Sequence, residues 1–112
     1  MTVRSLSDAD FEGTIREAEN AIVDFYATWC GQCMLIRPKF EQLSQEFPHV
    51  HFFVVDAEAN PQTRKSLRIE GIPYFALYRN GQFLEGFLTS RIEKVKEKLI
   101  ATFGQNAQEV AG

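Results

Sequence analysis

The chain has 112 residues, 45% of them hydrophobic and 24% charged, with 12 Lys and Arg against 15 Asp and Glu for a formal net charge of −3. Such a length and composition suit one compact domain, and ten phenylalanines supply enough bulk for a core without a disulfide staple. The scattered basic residues argue against nucleic acid as a partner, because following a phosphate backbone takes clustered Lys and Arg; no apolar stretch approaches the roughly 18 residues that would make a membrane a partner.

The opening stretch MTVRSLSDADFEG lacks an apolar signal region and already carries acidic residues, so a cytoplasmic protein is expected. Val3 to Leu6 reads as a short strand. Ser7 opens SDAD, a start resembling a capping box, and Phe11, Ile15 and Ala18 then recur at helical spacing, with Gly13 weakening the helix. AIVDFYA, residues 21 to 27, is a near-continuous apolar run of the kind found in strands buried on both faces. From Cys33 to Phe47 the period is helical, with Ile36, Phe40, Leu43 and Phe47 on one stripe and Pro38 expected to kink it.

VHFFVVD, residues 50 to 56, is a second buried strand. Asn60 and Pro61 predict a helix start that runs to Arg68, with Asn as the N-cap. YFALY, Asn80-Gly81 and QFLEGFL predict a hairpin closed by a type I′ turn. Ser90 and Glu93 are spaced as a second capping box, ahead of an amphipathic helix carrying Ile92, Val95, Leu99 and Phe103. A domain over residues 1–104 and a frayed tail over 105–112 are expected. The order β-α-β-α-β-α-β-β-α predicts an α/β fold: a central mixed sheet with helices on both faces and right-handed crossovers in its parallel part.

The only two cysteines are Cys30 and Cys33, at the start of the second helix and beside the only tryptophan, Trp29. Residues three apart share a helical face, so the two sulfurs are able to bond. Free N–H groups and the positive dipole end at a helix start favour a thiolate, so Cys30 is expected to ionise below the free value of about 8.5, and Cys33, a turn deeper, less readily. Cys30 is then the attacking sulfur and Cys33 the resolving one. Asp24, a carboxylate inside an apolar strand, is the candidate base for Cys33, its pKa raised by burial; the plainer reading is a strand-end Asp paired with a lysine.

Half of a zinc site is a rival reading of the pair. His49 and His51 lie two apart, not the three to five of a zinc finger, and would share one face of a strand. A structural disulfide across so short a loop gives little entropic benefit.

The combination VDFYATWCGQC, Pro38 and the later Gly71-Ile72-Pro73 resembles the thioredoxin family, and the likeness runs from about Val3 to Phe103. The resemblance implies a thioredoxin fold of five mixed strands flanked by four helices. It implies a protein disulfide oxidoreductase that works as a monomer, with no bound cofactor or metal, on disulfide-containing client proteins. A separate thioredoxin reductase would be its electron donor. It also implies a cis bond at Ile72-Pro73, in a loop lying against the cysteine pair and offering its backbone to an extended client segment. Trp29, Gly31, Gln32, Ile72, Pro73 and Tyr74 are then the substrate-binding positions.

Several positions depart from the family pattern. Gln32 stands where proline is usual, so a looser helix start and a shifted redox potential are expected. Met34 replaces a frequent lysine, Tyr74 a typical threonine, and a late glycine is replaced around Thr89. These changes lie at the recognition surface, and two other readings stay in view. One is an interaction or chaperone module that holds clients in the same groove, with redox activity secondary. The other is an oxidant or isomerase of an oxidising compartment.

Overall fold

The computed structural model describes residues 3–106, so all but the first two residues of the expected tail lie outside the described residues. The elements follow the predicted order: β1 (Val3–Ser5), α1 (Phe11–Glu17), β2 (Asn20–Tyr26), α2 (Gly31–Glu46), β3 (His51–Asp56), α3 (Pro61–Ser66), β4 (Tyr74–Arg79), β5 (Gln82–Leu88) and α4 (Ile92–Phe103). The five strands form one sheet in the order β1-β3-β2-β4-β5. β1, β3 and β2 run parallel, while β4 and β5 are antiparallel to their neighbours.

Alternation along β2 divides the core. Ile22 faces a layer made with Ile36, Phe40 and Leu43 of α2, Phe47 at its C-cap, and Val95, Leu99 and Phe103 of α4. Ala21, Val23 and Phe25 face the opposite layer, with Ile15 of α1 and Ile69 beyond α3. Both helical stripes read from the sequence are therefore the core-facing stripes. In the first layer Phe40 lies 4.9 Å from Phe52 and 5.7 Å from Phe75, ring centre to ring centre. The tilted geometry at that spacing is favourable for aromatic pairs. α2 continues through Pro38, which has no N–H to offer the carbonyl of Met34.

Four local expectations are corrected in whole or in part. Asp10 does reach back to the Ser7 N–H (2.7 Å), but this closes a turn; α1 starts only at Phe11, with Asp10 as its N-cap residue. Asn60 is the N-cap residue of α3 and Pro61 opens the helix, as expected, but the Asn60 side chain makes no capping bond. Its Oδ1 instead accepts from the Asp8 N–H at 2.8 Å, and Asp8 accepts in return from the N–H groups of Gln62 (3.1 Å) and Thr63 (2.8 Å). The Ser90 capping box does not form either. The Thr89 hydroxyl accepts from the Arg91 N–H at 3.1 Å, and Arg91 becomes the N-cap residue of α4, without a side-chain cap bond. α3 ends at Ser66, short of Arg68, which sits at φ 55°.

Asn80 and Gly81 both have positive φ (51° and 82°), as the type I′ turn of the hairpin requires. No helix of the described residues is long and apolar enough to cross a membrane.

Candidate active site

β2 ends at Tyr26, and the chain turns over Ala27 to Cys30, whose N–H donates to the Ala27 carbonyl at 3.1 Å. Cys30 is the N-cap residue of α2, with extended backbone (φ −84°, ψ 104°). Its Sγ accepts a hydrogen bond from the Cys33 N–H at 3.2 Å. A sulfur thus occupies the place where Ser or Asp usually satisfies a free helical N–H, in the positive end of the dipole. The two cysteines are joined as a disulfide with their Cα atoms 5.2 Å apart. Cys30 is 8% exposed and Cys33 is fully buried, the asymmetry expected from one turn of depth.

Asp24 is wholly buried in the middle of β2, paired with Val54 on one side and Phe75 on the other. By alternation its side chain shares the face of Ile22, under α2. Burial raises its pKa to about 7, against a smaller lowering by the Arg37 guanidinium. The Arg37 Nε lies 3.8 Å from Asp24 Oδ2, and the guanidinium sits over the Tyr26 ring at 4.3 Å. Among the described residues neither Asp24 oxygen has a hydrogen-bond partner, nor do Nε and one terminal nitrogen of Arg37. The partner is therefore an arginine on the helix above, not a lysine at a strand end. Arg37 was the residue missed in the sequence. Its signal was there: it follows Cys33 by four, hence on the same helical face as the cysteine.

Ala27, Cys30 and Cys33 form a small cluster of their own, against which Tyr26 and Ile72 pack. The Ile72-Pro73 bond is cis, and the Pro73 carbonyl accepts from the Thr89 N–H at 3.3 Å, tying this loop to the end of β5. The fold thus brings Ile72 to the disulfide, with Pro73 next to it and buried. Gly31 and Gln32 are exposed at the helix start, and a side-chain carbon added to Gly31 would meet nothing within 4 Å. Trp29 is 66% exposed, so it is not core filler, and Leu35 and Leu88 are also exposed.

Tyr74 is placed differently from the rest. Its ring packs at 6.0 Å against Phe25, on the α1 and α3 face, and burial raises its pKa.

The two histidines do not form half a metal site. His49 lies in the turn before β3, not in the strand, and its Nε2 is 2.9 Å from the Gly104 carbonyl. His51 is exposed and stacked on Phe53. Among the described residues no three His, Cys, Asp or Glu side chains gather to hold a metal ion.

A family model described as thioredoxin matches residues 2–103. A thioredoxin of Geodia cydonium is 34% identical over 94 residues, which cover 81% of this chain and 89% of that protein. Thioredoxin-1 of Schizosaccharomyces pombe is 32% identical over 100 residues, covering 88% and 97%. Among solved structures, the thioredoxin of Fasciola hepatica superposes with a TM-score of 0.82 at 32% identity, covering 88% of this chain and 97% of that one. The thioredoxin of Plasmodium falciparum gives 0.84 at 29% identity with the same coverage.

Proposed function

The chain belongs to the thioredoxin family, as a protein-disulfide oxidoreductase, and from that premise we propose how its own residues divide the work and on what they act. The observation that carries the proposal is the capping bond from the Cys33 N–H to the Cys30 sulfur. An acceptor held there gains more from carrying charge than one in water, so Cys30 is the nucleophile. In the reduced protein its thiolate attacks one sulfur of a client disulfide, forming a mixed disulfide and expelling the other client sulfur as a thiolate. Cys33 then passes its S–H proton to the Asp24 carboxylate. Its sulfur bonds to Cys30, the bond from Cys30 to the client breaks, and the second client sulfur leaves with the electron pair. Two electrons have moved from the dithiol to the client.

Trp29, Gly31, Gln32, Ile72, Pro73 and Tyr74 form the docking rim in this reading. The open space above Gly31 supports close approach of a client backbone, and the exposed Trp29 supplies an apolar contact. Tyr74 acts through its backbone, since its ring is turned to the far layer. Electrons return through a separate reductase, which makes the protein an electron carrier. We place it in the cytoplasm, as a monomer without a bound cofactor. A lone reactive cysteine pair fits a reducing compartment, and both core layers close within one chain. Fractionation and light scattering test the last two points.

The activity is tested by reduction of insulin disulfides with dithiothreitol as the electron source. The wild type is expected to accelerate the reaction and Cys30→Ser to give only the dithiothreitol background. Equal rates for the two would end the proposal.

A further inference from the structure

We propose that Arg37 is a positioning residue for the resolving step: held between the Tyr26 ring and the Asp24 carboxylate, its guanidinium sets how readily that carboxylate takes the proton of Cys33. The inference builds on the roles assigned to Cys33 and Asp24 above.

The geometry is specific. Arg37 stands one turn after Cys33 on the face of α2 that covers β2, so one helical stripe carries both the proton donor and the cation, and Asp24 lies beneath it. The Arg37 side chain is 23% exposed, and the ring of Tyr26, two residues from Asp24 on the same strand face, holds it at 4.3 Å. A guanidinium stays charged throughout the working pH range and stacks on aromatic rings, so this cation is fixed in both charge and place.

Little else with a charge faces Asp24. In register, β3 and β4 present Val54 and Phe75. α4 contributes Val95 and Leu99 to this layer. Asp56, at the end of β3, accepts from the N–H groups of Glu58 and Ala59. Besides the cysteine pair and Tyr26, Arg37 is what remains among the described residues to balance the carboxylate.

The consequence is graded. Asp24 has its midpoint at about 7, so about half of it is ionised and ready to accept a proton at that pH. An opposite charge at such a distance lowers a carboxyl midpoint by about one to three units. Arg37→Met, which keeps the apolar stem and removes the charge, should raise it. A rise of one unit cuts the ionised fraction at pH 7 about fivefold.

The test uses the full-length reduced protein and two readouts. One is the carboxyl carbon resonance of Asp24 followed against pH. The other is a single-turnover reaction with an aromatic disulfide. The first coloured thiolate leaves when Cys30 attacks, and the second when Cys33 resolves.

In Arg37→Met the Asp24 midpoint should rise by about one unit or more, and the second phase at pH 7 should slow about fivefold and recover as pH rises. Arg37→Lys should lie closer to the wild type in both. In an Asp24→Asn background, Arg37→Met should no longer alter the pH dependence. An unmoved midpoint overturns the proposal, as does a moved midpoint with an unmoved second phase, or a lysine variant as impaired as the methionine one. If Arg37→Met does not fold, Arg37→Gln and Arg37→Lys carry the same comparison. A second phase that persists in Cys33→Ser sinks the role of the pair instead, independently of Arg37.

Discussion

At the scale of single residues, Asp24 shows what the site costs the fold. A carboxyl in the unfolded chain ionises near 3.9, whereas burial in β2 keeps the Asp24 proton on until about 7. Between those values the native state binds the extra proton. Stability therefore falls as pH rises through this window and levels off above about 7. Asp24→Asn removes that slope. From pH 4 to pH 8 the difference in unfolding free energy should move by about 2–4 kcal/mol in favour of the variant, as read from urea unfolding of the reduced proteins. In the proposed mechanism the same substitution removes the proton acceptor. The resolving phase at pH 7 should then slow about a hundredfold, the lower end of a general base's usual contribution. A carboxyl within an apolar run was visible in the sequence as a buried acid with a raised pKa. Its guanidinium partner was harder to see, because Arg37 meets Asp24 only once α2 is laid over β2.

At the scale of elements, helix and strand periods were legible, and the ends of the elements were less so. The stripe Ile36, Phe40, Leu43, Phe47 is a local pattern, and it came out as the buried face of α2. Caps depend on what else reaches the same N–H. Asp8 serves α3 from 54 and 55 residues away, a contact no local motif encodes. Thr89, one residue before the expected cap, takes the N–H of Arg91. The hairpin end of the sheet carries another non-local constraint. A Cβ on Gly86 would run into the Tyr74 hydroxyl, because the ring lies across the neighbouring strand at that point. Gly86→Ala must displace the Tyr74 ring from its packed position, at a cost of about 1–3 kcal/mol. With Tyr74→Thr already in place, the same change should cost much less. A thermodynamic cycle over the two substitutions checks this, and an additive result would count against the contact.

At the scale of the whole molecule, two layers of side chains on a single sheet fix where the chemistry sits. α2 must lie on β2 for its stripe to be buried, and that packing delivers the first turn of the helix to the end of the strand, next to the Ile72-Pro73 loop. Phe40 is central to it, touching Phe52 of β3 and Phe75 of β4. Phe40→Ala should cost about 3–5 kcal/mol, a large part of the roughly 5–15 kcal/mol that holds a domain of this size together. Urea unfolding should show the midpoint falling with little change in slope. The fold class could be read from the sequence because β2 and β3 are continuous apolar runs, and such runs belong to strands covered on both sides.

The capping role of Cys30 has one more consequence. In the proposed mechanism the attacking sulfur is also the acceptor that caps the start of α2, so every turnover rewrites the boundary of a helix. A thiolate pulls on the Cys33 amide harder than a sulfur bonded to another sulfur does. The resonance position and deuterium-exchange rate of that one amide proton are therefore a built-in gauge of oxidation state, readable without any added label.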